Sequence, residues 1–175
     1  AAGSGWFVTP GTSPLRRTSL SCQLAAPTRM LAPIPVPRPD FSALEFRAAL
    51  GMFATGVTIV STRTPAGELV GLTVNSFNSV SLEPPLVLWS LGQHSMSAPF
   101  FQSASHYAVN VLAADQRELA LRFAAPVGDR WAGVAWQPGV TGAPLIEGTV
   151  VHFECRKQSR HDEGDHTLFI GQVVY

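Results

Sequence analysis

Gly71–Pro85 reads GLTVNSFNSVSLEPP, and two apolar strand-like runs flank it, Val57–Thr62 and Leu86–Leu91. Between those runs the side chains become small and hydroxylated: Thr73, Asn75, Ser76, Asn78, Ser79 and Ser81. A bare core strand would not carry so many donors, and a surface loop would hold more charge. An apolar frame filled with neutral hydrogen-bonding groups suits a flat, polar-edged aromatic ligand. The same residue types are also ordinary turn formers, and composition alone leaves both readings open.

Outward from this stretch, strands dominate. Val57–Thr62 is β-branched at almost every position and reads as a strand. Thr64-Pro-Ala-Gly67 is a turn, and Leu69–Val74 returns from it to complete a hairpin. Pro84 and Pro85 mark the entrance to a third strand, Leu86–Leu91. His106–Leu112 is a fourth, Val134–Gln137 a short one. Val150–Gln158 and His166–Tyr175 form a final hairpin across the polar link Ser159–Asp165. Helices are few and short. Ser42 and Glu45 have capping-box spacing ahead of the apolar face Phe46, Ala49, Leu50 and Phe53, with Gly56 as the stop. Pro99–Ala104 is a short helix capped by Ser95 or Ser97. Asp115–Ala125 is another, with Asp115 and Glu118 at capping-box spacing. About six strands that do not alternate with helices exclude a doubly wound parallel sheet and point to an antiparallel barrel.

Composition narrows the classes further. The chain has 175 residues, 14% charged and 46% hydrophobic, with a formal net charge of +0. That is enough apolar material for one packed core. It provides no basic stripe for nucleic acid. No apolar run reaches the ~18 residues of a membrane helix, so a soluble protein is expected. Two cysteines, Cys22 and Cys155, make neither a disulfide framework nor a zinc site. Cys155 reads as a small strand hydrophobe, and this thiol usage fits a reducing cytoplasm.

Residues 1–39 differ from the rest. They hold seven prolines and four arginines (Arg16, Arg17, Arg29 and Arg38), and no acidic residue precedes Asp40. Such sequence reads as a flexible Pro-rich extension, or as a targeting peptide, with Met30 a possible start; the folded domain is expected over 40–175.

Familiar catalytic signatures are missing. There is no G-x-G-x-x-G after a strand, no P-loop and no G-x-S-x-G elbow. His161 and His166 lie among Asp162, Glu163 and Asp165, a cluster that could bind metal but whose composition favours a solvated turn.

Five motifs in order carry a family resemblance: FRAALGMFATGVTIVST (Phe46–Thr62), GLTVNSFNSVSLEPPLVLWSL (Gly71–Leu91), YAVNVL (Tyr107–Leu112), FA (Phe123 and Ala124) and GDHTLFIGQV (Gly164–Val173). From Phe46 to Tyr175 the chain resembles the short-chain flavin reductases, the reductase components of two-component flavin-dependent monooxygenases. The resemblance implies a mainly β fold with short helices, a split antiparallel β-barrel (the FMN-binding split barrel), and a homodimer. It implies FMN or FAD as flavin and NADH or NADPH as reductant, with reduced flavin passed to a partner monooxygenase.

Carried over by motif, Thr73, Val74, Asn75 and Ser76 resemble the contacts of the isoalloxazine edge, and Thr58 a neighbour of that site. Ser79 and Val80 extend the flavin wall. Ser90, Leu91, His94 and Ser95 match the region that holds the ribityl phosphate, and the short helix after Ser95 would offer its N-terminus to an anion. His166 in GDHT matches a nicotinamide contact. Asn110 reads as a buried structural hydrogen bond rather than a flavin contact. Phe100, Phe101, Trp89 and Trp131 read as core or dimer-interface aromatics, and Asp129-Arg130-Trp131 resembles the link that precedes the final strands in relatives, with no catalytic role assigned. No catalytic side chain and no metal is expected, because hydride transfer belongs to the cofactors. Relatives usually continue beyond the point matching Tyr175, so a C-terminal truncation is expected. The rival readings are a flavin-binding electron carrier without turnover and another split-barrel flavin or haem protein.

Overall fold

The computed structural model describes residues 40–126 and 128–175; the expectation for 1–39 lies outside them. From Ala43 to Tyr175 the chain forms one unit. Helix α1, Ala43–Leu50, is made of strong helix formers and ends well before Gly56. Strands β1 (Thr58–Arg63) and β2 (Leu69–Val74) form the expected hairpin, with Gly67 at φ 89° and Thr64 N–H donating to Glu68 O at 2.9 Å. Strand β3 (Asn78–Leu82) pairs with β4 (Pro85–Gly92). Helix α2 (Ala98–Ser103), β5 (His106–Val111) and α3 (Arg117–Ala124) follow. A small hairpin of β6 (Trp136–Pro138) and β7 (Pro144–Ile146) leads to the long β8 (Val151–Glu163) and β9 (His166–Val173).

Seven strands make one antiparallel sheet in the order β2-β1-β5-β8-β9-β4-β3. It curls without closing by a ladder, which is the split antiparallel barrel the motifs implied. Its inner face is packed around Trp89, which is fully buried. That indole stacks on Phe169 at 4.7 Å and meets Phe101 and Tyr107 edge-on at 5.0 and 5.6 Å. Ile59, Phe123 and Ile146 form a second cluster, with Trp131 and Leu119 packed on it. Strand β1 is therefore covered on both faces, which accounts for its unbroken apolar and β-branched run.

Several local expectations are revised. Nine strands are present among the described residues, not about six. Strand β3 was concealed in the hydroxyl-rich segment because it is an edge strand, exposed at almost every position, with no alternation to reveal it. The polar link begins later than expected: β8 runs to Glu163, pairing Ser159–Glu163 with Ile170–His166. Helix α3 starts at Arg117, with Gln116 rather than Asp115 at its cap. Gln116 makes no cap bond; its amide instead accepts from Ala113 N–H and donates to Glu147 O, joining the flanking segments.

Two buried polar groups fix the outer hairpin. Asn110 is fully buried and satisfied: it donates to Ile59 O and Ser61 Oγ and accepts from Ile146 N–H, each at 2.9 Å. That is the structural role expected of it. Glu154, 1% exposed, accepts from the Val140 and Thr141 amides at 2.9 and 2.7 Å and from the Thr141 hydroxyl. Burial acts to raise its pKa. The Thr141 and Val140 hydrogen bonds, with His152 nearby, outweigh that and hold the carboxyl below its ordinary value. Cys155 is a buried free thiol, as expected of a strand hydrophobe, and desolvation followed by the Glu154 charge pushes it up to about 12.

Candidate functional site

A side chain ties the two sides of the split together. The Ser76 hydroxyl accepts from Ser90 N–H at 3.0 Å and donates to Ser90 O at 3.3 Å, tying the exit of β2 to β4. Chain direction explains the place. Asn75–Phe77 carries the backbone from one edge strand, β2, straight to the other, β3, so the NSF of the opening stretch spans the gap.

A cavity of about 230 Å³ opens at this seam, lined by Leu72–Ser76, Ser90–Gly92 and His166. It brings together seven of the expected residues: Thr73, Val74, Asn75, Ser76, Ser90, Leu91 and His166. Thr73 donates its hydroxyl to Ala120 O at 2.7 Å, and Ser76 is committed to Ser90. Asn75 is exposed, and among the described residues its amide has no hydrogen-bond partner. It is therefore the group of this segment most available to a ligand's carbonyl or imide.

The other expected residues lie around the cavity rather than in its wall. Thr58 is buried one layer beneath, donating to Val74 O at 3.2 Å. Ser79 and Val80 sit on exposed β3, at the bulge between Ser79 and Ser81. His94 and Ser95 follow β4 in the loop before α2. Gln93 ties that loop to the β8–β9 turn through its N–H to Asp165 O at 3.0 Å. Asp165 is there flanked by two histidines. The hydrogen bond from His166 Nδ1 at 2.7 Å, the His166 charge and, more weakly, that of His94 hold its carboxyl below the usual range. Ser97 stands at the cap position of α2 but makes no cap bond, and the Ser95 hydroxyl accepts from Ser97 N–H at 3.3 Å.

A flavin is a reasonable occupant on this chemistry. The wall is neutral and hydroxyl-rich, has one free amide, and buries no unpaired charge against a ring that is itself polar only at its edge. The loop beyond it carries His94 and Ser95, groups suited to an anion. Leu72 and Gly92 join the lining without having been expected, and only the fold could place them. Asp165 could have been found from its adjacency to His166.

Comparison with known proteins agrees. The family model for the flavin reductase like domain matches residues 50–175. The chain belongs to the flavin reductase-like family. It is 50% identical over 130 residues to the FMN reductase (NADH) SmoA of Agrobacterium fabrum, covering 74% of each chain. It is 43% identical over 129 residues to the reductase component of the flavin-dependent trigonelline monooxygenase of Acinetobacter baylyi, covering 74% of this chain and 42% of that one. The chain thus spans less than half the length of some curated relatives. The NADH:FAD oxidoreductase SgcE6 of Streptomyces globisporus, solved with NAD and FAD fragments, superposes with a TM-score of 0.72 at 41% identity, over 75% of this chain and 79% of that one. Among the described residues of this family member, no helix is long and apolar enough to cross a membrane.

Proposed function

We propose that this chain is an NADH-dependent flavin reductase that supplies reduced flavin to a partner monooxygenase. The observation that carries the reading is the seam itself: Thr73–Ser76, Ser90–Leu91 and His166 converge on one cavity from three distant stretches of sequence. Relatives named as FMN reductase (NADH) and as reductase components of monooxygenases support it.

The bound flavin would supply the hydride-accepting chemistry. The chain's own residues do the rest. Asn75 and the backbone of Thr73–Ser76 hold the polar edge of the ring. Thr58 supports Val74 from beneath, while Ser79 and Val80 continue the wall along β3. Ser90 and Leu91, then His94 and Ser95, run from the ring towards the phosphate. His166, oriented by Asp165, faces the nicotinamide. No side chain has to act as acid, base or nucleophile.

The protein acts as a homodimer in this reading. At about 230 Å³ the cavity is smaller than the ~300 Å³ at the low end of small-molecule sites, which favours a second wall from a partner copy. Exposed apolar side chains are present to build one: Leu44, Met52 and Phe53 in and after α1, and Leu82, 92% exposed, on β3. We place the enzyme in the cytoplasm, on its sparse cysteines and buried free Cys155.

The test is a matrix of NADH or NADPH against FMN or FAD with the purified chain. NADH oxidation above the blank with at least one flavin is expected, and its absence in all four combinations overturns the reading. Flavin retained tightly without NAD(P)H oxidation marks an electron carrier instead. His166→Ala should raise the KM for NADH and leave flavin affinity alone. A loss confined to flavin affinity reassigns His166.

A further inference from the structure

Arg130, to which the motifs gave no catalytic role, hydrogen-bonds to three segments around the seam. Its Nε and Nη2 donate to Ala125 O at 3.1 and 2.7 Å, at the end of α3. Its Nη1 donates to Gly71 O at 2.9 Å and reaches Ser97 Oγ at 3.5 Å. One planar guanidinium therefore joins three segments: α3, the edge strand β2 just before Leu72–Ser76, and the end of the loop Gln93–Ser97. It lines a separate cavity of about 580 Å³ on the far side of Gly71 and Ser97, so it stands behind the seam and not in it.

The surroundings are built to hold it there. Asp129 Oδ1 accepts from the Trp131 and Ala132 amides at 3.1 and 3.2 Å, fixing the turn that presents Arg130. Trp131 and Phe123 lie so close to Gly71 that a Cβ there would come within 3.0 and 2.7 Å of their rings. Gly71 thus lets β2 pack against the two rings beside the arginine. Ser97, buried at 6% exposure and uncapped, turns its hydroxyl towards the same Nη1 instead of towards its own helix.

We propose that Arg130 is a positioning residue that ties the ring-edge segment Thr73–Ser76 to the phosphate loop Gln93–Ser97, so that one flavin mononucleotide is gripped at both ends. The proposal rests on the flavin reading above. The loop is anchored at its entry by the Gln93–Asp165 bond and at its exit by Arg130. The ring segment has independent supports, the β1 ladder and the Thr73–Ala120 bond, and stays in place without the arginine. Loss of Arg130 therefore releases the phosphate end and spares the ring end. Two contacts held at fixed spacing bind better than the same contacts held loosely.

The experiment measures FMN and riboflavin, which lacks the phosphate, by flavin fluorescence quenching on native protein, R130Q, R130K and S97A. Native protein should prefer FMN. In R130Q that preference should fall by about tenfold while riboflavin affinity stays within about twofold. The KM for FMN should rise at unchanged kcat. R130K should lie between, since an ammonium cannot reproduce the fork, and S97A should show a smaller loss of the same kind. If R130Q does not fold, R130K and S97A carry the comparison. An unchanged preference for FMN in the variants overturns the strap alone, as does an equal loss of both flavins. A native protein that binds both flavins alike overturns the phosphate-loop reading, and the strap with it.

Discussion

The closed side of the sheet and its split are built on opposite terms. From β1 through β5, β8 and β9 to β4, every strand has a ladder partner on both sides, and the inner face packs on a fully buried tryptophan. At the split, β2 and β4 meet through one serine hydroxyl, the wall is polar, and Asn75 and His166 are exposed. The closed side supplies rigidity, which the split then uses. Three segments distant in sequence can be held around one small cavity only because the strands that carry them are fixed elsewhere.

The largest effect should come from the closed side. Trp89→Ala removes a stacked indole with three aromatic neighbours and should cost about 3–5 kcal/mol of stability in denaturant unfolding. A loss below ~1 kcal/mol would show that the contrast between the two sides is overstated.

Glu154→Gln should follow, at roughly 1–3 kcal/mol, because an amide offers donors where three donors already point. Its pH dependence sharpens the assignment. The folded carboxyl sits below its ordinary value, so its contribution is complete above the unfolded carboxylate pKa of about 4.3 and is lost as pH falls through the folded value. The gap between native protein and variant should be widest near neutrality and close in acid. A gap that is constant with pH would assign the effect to shape rather than charge.

How much of this was legible in the sequence follows the same division. Covered strands announce themselves: β1, β2, β4, β5 and β9 are rich in β-branched, aliphatic and aromatic residues because both faces or one regular face meet the core. Strand β3 does not, since an exposed edge places no demand on side-chain polarity. The seam was legible as chemistry, because neutral donors in an apolar frame are unusual, but its use of those donors was not. Thr73 and Ser76 spend their hydroxyls on Ala120 and Ser90, partners 47 and 14 residues away, leaving Asn75 as the free group. Arg130 was invisible for the same reason: its shortest hydrogen bonds go to backbone carbonyls, which carry no sequence signature.

On the split side, Asn75→Ala should weaken flavin binding by roughly 1–3 kcal/mol while leaving stability within ~0.5 kcal/mol, since no protein partner is lost. This is the mirror image of Trp89→Ala, and together the two form the cleanest test of the contrast. Unchanged flavin affinity would return Asn75 to a turn role and leave the hydrogen bonds at the ring edge to the backbone.

The smallest expected effect falls on the one residue that belongs to both sides. Ser76→Ala deletes the direct side-chain bridge between the exit of β2 and β4, with both of its bonds to Ser90. Stability should drop by about 1 kcal/mol, the usual net worth of such hydrogen bonds at a half-buried residue such as Ser90. Flavin affinity should fall by a similar amount, and for a different reason: β2 and β4 would still be anchored, by β1 and β9, but no longer to each other. At saturating flavin the stability gap between native protein and variant should then widen to about 2 kcal/mol, because a ligand bound less tightly stabilises the variant less. If the gap stays at its flavin-free value, flavin affinity is untouched, Ser76 belongs with the scaffold, and the boundary between the two regions moves from the serine to Asn75.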